Sequence, residues 1–180
     1  IVHEDFAKFK PENKFDLVIS FNVFEHLDDP INYIEKINTF LNHNGKSIIL
    51  CPNYDFPYEP HFVIPIIYNK KITYKLFKNR IIKHESKTGE KGLWEGLNLC
   101  SKKKIKNYLN EKKYNFYFDK DIGLRLLSRI NDDKSNYFQK RQGIMAKIAK
   151  IAMVLKLDKI LFEFLKIPFP YMKLIIKKND

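Results

Sequence analysis

The sequence predicts an α/β protein built on an open sheet, and three observations carry that reading. Phe15-Asp-Leu-Val-Ile-Ser20 is an apolar run that passes straight into a polar loop, Asn22 to Asp29. A buried strand ends in this way at the rim where an open α/β sheet places its chemistry. After Pro30, Ile31, Ile34, Ile37 and Leu41 recur at helical spacing, with Asn32, Glu35, Lys36 and Asn38 on the other face. Lys46 to Cys51 is then a short isoleucine-rich run suited to a central strand. Strand, polar loop, helix and strand follow one another within 50 residues.

Each element has local support. Asp29 before Pro30 supplies an N-cap and a proline at the first helical position. Asn44-Gly45 is expected to end that helix. Residues 53–68 hold Pro57, Pro60 and Pro65 among several aromatics, so they read as an ordered insertion over the C-terminal edge of the sheet. A helical piece over 65–77, a basic loop over 78–91 and the segment Gly92 to Cys100 with the lone tryptophan follow. Ser101 is placed to cap a helix over 102–112, and Tyr114–Phe118 has strand character. Residues 121–167 read as a basic helical insertion with an apolar stripe (Ile144, Ile148, Ile151, Leu155), and Tyr171 to Lys177 as a last strand. One domain over 1–180 with insertions at 53–100 and 121–167 is the expected organisation.

The composition narrows the class. The 180 residues are 44% hydrophobic and 14% aromatic, enough for a core and against disorder. The net charge of +12 points to an anionic partner. However, only Arg80, Arg125, Arg129 and Arg141 are arginines, and a lysine-dominated excess also describes ordinary solvated faces. Cys51 and Cys100 lack C-x-x-C spacing and read as reduced core thiols of a cytoplasmic protein. No apolar stretch reaches the ~20 residues of a membrane span.

Asp16, followed by Val23-x-Glu25-His26-x-x-Asp29-Pro30, resembles the region after the fourth strand of class I S-adenosylmethionine-dependent methyltransferases. Ile1 to Phe6 resembles that family's third strand, and Gly45 to Asn53 its fifth. The resemblance implies S-adenosylmethionine as cofactor. It puts Asp5 on the adenine amino group and the Phe6 backbone N–H on the ring, with Asn22 and Glu25 also on the cofactor side. Glu25 has an alternative role in fixing loop amides. The family's Gly-rich turn and its first two strands have no counterpart in the six glycines' surroundings. The expected fold is therefore a partial Rossmann-like sheet, third strand onward, lacking one βαβ half of roughly 60–100 residues. Such a chain is expected not to hold the cofactor alone.

Methyl transfer to a hydroxyl needs an aligned acceptor and a proton acceptor. His26 stands beside the expected methyl position; its alternative is a structural histidine of the loop. His61, on the proline-stiffened insertion, is the second candidate base. Asn53 and Tyr54 end the fifth strand and can touch either cofactor or acceptor, while Trp94 and Asn98 offer an aromatic face with polar neighbours; these four are the candidate substrate contacts, with a core position the commoner alternative for Trp94. No His/Cys/Asp cluster has ligand spacing, so no metal site is expected. The segments around His61 and Trp94 resemble methyltransferases of bacterial surface-polysaccharide and lipid-linked glycan synthesis. The expected acceptor is thus a small molecule, sugar or lipid-linked glycan. The basic stretch 141–167 raises contact with an anionic membrane on the inner face as one reading, and an amphipathic helix packed on the sheet as the favoured one. Nucleic acid is disfavoured, because no aromatic-basic recognition signature is present.

Overall fold

The computed structural model describes residues 3–132 and 168–178, together with 147, 150, 151 and 153–155. Strand β1 (Phe15–Phe21) leads through a single 3-10 turn, Phe24–His26, into helix α1 (Pro30–Thr39) and strand β2 (Leu41–Pro52). A small hairpin, β3 (Tyr58–Glu59) with β4 (Ile64–Pro65), precedes helices α2 (Lys70–Thr88), α3 (Leu93–Gly96) and α4 (Lys102–Glu111). Strand β5 (Asn115–Phe118), helix α5 (Ile122–Asp132) and strand β6 (Tyr171–Lys177) complete the described elements.

The main sheet has the order β1-β2-β6-β5. β1 runs parallel to β2, with Leu17 opposite Lys46 and Phe21 opposite Leu50. β6 lies antiparallel to both β2 and β5. This is the expected α/β architecture, including the antiparallel pair formed by the last two strands. Asp29 caps α1 by accepting from the Ile31 and Asn32 N–H groups, both at 3.0 Å. Ile34 and Ile37 of α1, Ile105 and Leu109 of α4, and Ile49, Cys51, Leu174 and Ile176 of the sheet form one buried core with Phe24. Each buried aliphatic side chain stabilises this packing by about 1.5–3 kcal/mol. The other face of β1 is open: Phe15, Leu17, Ile19 and Phe21 are each exposed.

Three expectations change. The strand expected over residues 1–6 is absent from the described part, where residues 6–8 are a turn closed by Lys8 and Phe9 N–H groups on the Asp5 carbonyl. No described strand lies beside it to supply a ladder. Phe6 turns in against Tyr33 and Phe40 instead, and the Lys36 ammonium donates to the Phe6 and Ala7 carbonyls.

Helix α1 ends at Thr39, and Asn44-Gly45 lies inside β2. Asn44 takes a left-handed φ of 62°. A Cβ on Gly45 would stand 2.9 Å from the Asn42 carbonyl oxygen and 3.0 Å from that of Phe15. The pair therefore bends the strand's entry rather than stopping the helix.

The basic stretch 78–91, expected as a loop, is helical through Thr88. Its expected start marks a kink at Phe77, and Ile81 beyond it is buried with Phe62, Ile64, Trp94 and Leu97 in a second core. Most of 141–167, including the membrane expectation, lies outside the described residues; within it, Ile151, Val154 and Leu155 are exposed. No described helix is long and apolar enough to cross a membrane.

Candidate functional site

The C-terminal end of β1 sets the site. Asn22 turns the chain with a left-handed φ of 53° while its N–H still pairs with the Leu50 carbonyl at 2.9 Å. The 3-10 turn that follows is held from both sides. Phe24 is wholly buried in the main core, its ring 6.1 Å from Tyr33. Asn98 grips the turn from α3's far side: its side-chain amide donates to the Phe24 and Leu27 carbonyls, both at 2.8 Å. Its backbone N–H donates to the Glu25 carbonyl at 2.8 Å. Glu25 and His26 are thus fixed on a clamped turn.

The β3–β4 hairpin supplies the opposite wall. Glu59 is buried in β3, and its carboxylate accepts from the Phe62 N–H at 2.7 Å and from the Tyr54 hydroxyl at 3.2 Å. It also faces His61 Nδ1 at 2.6 Å. A carboxylate only accepts, so this contact puts the proton on Nδ1 and makes Nε2 the lone-pair nitrogen. His61 Nε2 stands 3.8 Å from Glu25 Oε1, and His26 Nε2 stands 3.9 Å from the same oxygen. The two imidazole rings meet edge to face with centroids 5.4 Å apart.

Burial dominates the electrostatics. Glu25 is fully buried and neither carboxylate oxygen has a hydrogen-bond partner. Burial raises its pKa above the ordinary glutamate value, against the weaker pulls of its own backbone N–H and then of the His61 side chain. Burial lowers the His26 pKa, and repulsion from His61 adds to the effect. The Tyr54 phenol is pushed far up by burial and by Glu59, so it acts as a fixed hydrogen-bond donor.

The structure therefore brings together His26, His61 and Glu25, with Tyr54 behind them through Glu59. It uses Asn98 as the clamp of the loop. Asn53 is spent on structure: its amide donates to the Phe169 carbonyl at 2.9 Å, and its Oδ1 accepts from the Asp55 and Lys102 N–H groups. Trp94 is buried in the second core against Phe62 and Tyr74. Asp5 is exposed, with Oδ1 accepting from the Ala7 N–H at 2.8 Å. Glu59 is the residue that the sequence reading did not single out; its place two residues before His61 on a proline-stiffened strand was the available signal. Linear spacing showed no metal ligand set, but the fold assembles Glu25, His26 and His61 with donor atoms within 4.8 Å of one another.

The model of a family described as methyltransferase domain matches residues 1–128. The chain belongs to this methyltransferase domain family. Uncharacterized proteins of two Mycobacterium tuberculosis strains, CDC 1551 / Oshkosh and ATCC 25618 / H37Rv, are each 32% identical to it over 146 residues. Those matches cover 81% of the chain, which spans 49% of each relative. A solved Haemonchus contortus phosphoethanolamine N-methyltransferase 2, in complex with S-adenosyl-L-methionine, superposes with a TM-score of 0.50 at 14% identity. That match covers 96% of this chain and 35% of the solved chain, and it shows a shared fold.

For the cofactor that the family implies, the polar groups on offer among the described residues include the exposed Asp5 carboxylate and Asn22, left-handed at the end of β1.

Proposed function

We propose that the protein serves methyl transfer from S-adenosylmethionine to a hydroxyl of a small molecule, a sugar or a lipid-linked glycan. The observation that carries this reading is the convergence of His26, Glu25, His61 and Glu59 at the C-terminal end of β1. When bound, the cofactor supplies a methyl group on a sulfonium, which passes to the acceptor oxygen while the carbon–sulfur electrons stay on sulfur. The chain's own residues handle the proton. An acceptor hydroxyl within about 3 Å of His61 Nε2 gives its proton there as the oxygen attacks. Glu59, fixed by Tyr54 and the Phe62 N–H, holds the ring and stabilises the imidazolium that forms. Asp5 and Asn22 contribute to holding the cofactor.

The assay offers S-adenosylmethionine and a panel of free and lipid-linked sugars to the purified protein. His61→Ala is expected to lower kcat by about 10²-fold or more while leaving cofactor affinity unchanged. Glu59→Gln lowers kcat less and shifts the pH profile. Unchanged turnover in His61→Ala removes the base assignment, and methylation of an amine in place of every hydroxyl offered removes the acceptor class.

A further inference from the structure

We infer that Glu25, His26 and His61 form a binding site for one divalent first-row transition ion of the manganese-to-zinc group. The starting point is Glu25. Its carboxylate is wholly buried and neither oxygen accepts a hydrogen bond. An unpaired buried carboxylate is costly to keep charged, and a cation beside it offsets that cost. Two imidazole Nε2 atoms face it, at 3.8 and 3.9 Å from one oxygen. These separations are too long for hydrogen bonds. They resemble instead the spacing of ligands around a common centre: donors about 2.1 Å from an ion lie roughly 3.0–3.6 Å apart at ordinary coordination angles. The three donors lie within 4.8 Å of one another, so drawing the set together by up to about an ångström completes three bonds.

The surroundings are those of a metal centre. His61 Nδ1 is held by Glu59 at 2.6 Å, and Glu59 is itself held by the Phe62 N–H and the Tyr54 hydroxyl. A carboxylate behind a ligating histidine fixes its tautomer and raises its basicity. His26 rides on the turn that Asn98 clamps. The imidazole side chains retain 29% and 18% exposure, which leaves an entry path. Two imidazoles with one carboxylate select a borderline ion over magnesium or calcium, which prefer all-oxygen sets. Three protein ligands also leave a coordination position for a substrate oxygen. Resting on the proposed methyl transfer, a bound ion would occupy the His61 Nε2 lone pair, so metal occupancy and the base role of His61 exclude one another and the metal-free protein is the form in which His61 takes the acceptor's proton.

The experiment reads binding alone. Chelator-stripped protein, without cofactor or acceptor, is titrated by calorimetry with Mn2+ or Zn2+, and metal content is measured by mass spectrometry after gel filtration. One ion per chain with micromolar or tighter affinity is expected. His26→Ala and His61→Ala should each weaken it at least about tenfold. Glu59→Gln should weaken it about 10–100-fold, and His43→Gln should leave it unchanged. Circular dichroism checks the fold of each variant; His26 and His61 are partly exposed, so their truncation spares the core. No bound ion, or equal binding by the His26→Ala/His61→Ala double variant, overturns the site. Stronger binding of Mg2+ than of Mn2+ and Zn2+ overturns the ion class. A failed methylation assay leaves this result standing, and the converse also holds.

Discussion

Glu59 shows how one side chain can be spent entirely on arranging another. It collects a backbone N–H, a phenol and an imidazole on a single buried carboxylate. Replacing it by glutamine keeps the volume but turns one acceptor into a donor facing groups that already donate. Glu59→Gln should therefore destabilise the protein by about 1–3 kcal/mol, read as a shift in the urea midpoint; an unchanged midpoint would show that the three contacts contribute no net stability. Asp119 makes a simpler pair. The Lys173 ammonium bonded to it at 2.9 Å holds its carboxyl below the ordinary value of 3.8, burial opposing and the Asp121 N–H assisting. The unfolded chain then binds more protons than the native one across that window. Stability from the pair is full above the ordinary value and fades as pH falls through the folded one. Asp119→Asn should accordingly lose stability near neutrality and match the parent protein in strong acid, measured as urea midpoints across the acid range. A constant difference at every pH would exclude the linkage.

At the level of elements, Asn98 joins the insertion to the β1 loop by three hydrogen bonds. Asn98→Ala removes the two made by the side chain and strands two carbonyls. The expected result is a loss of about 1–3 kcal/mol together with faster hydrogen exchange confined to residues 24–27. Exchange that rises uniformly would mean a global effect instead. The elements differ in how plainly the chain announced them. β1, α1 and β6 carry their own periodicity and caps, and they stand where residues 15–20, 30 onward and 171–177 pointed. The second half of α2 was hidden because only Ile81 of that stretch is buried, and a helix with one core contact per several turns has no readable period. Residues 1–6 read as a strand by resemblance to the family's third strand, but a strand needs a neighbour as well as a likeness, and residues 3–6 have none among the described strands. Glu25 and His26 were legible because they are adjacent. Their meeting with Glu59 and His61 was not, since it depends on a hairpin folding back across more than 30 positions.

For the molecule as a whole, β1 presents both an unpaired edge among the described residues and an open apolar face. Such edges recruit further strands. Light scattering against concentration should show self-association that Ile19→Lys, at a side chain 53% exposed, reduces with little change in melting temperature. Equal association by this variant would place the contact elsewhere. The strand order carries a different consequence, one of timing. β6 lies between β2 and β5, and Lys46 pairs with Lys177. The middle of the sheet is therefore synthesised after both of its neighbours. At about 5–20 residues per second, β2 waits several seconds on the ribosome before its second partner exists. During that interval β1 is the one described strand paired with β2 beneath the Glu25–His26 turn, and the described sheet closes only when the last strand slots into its centre.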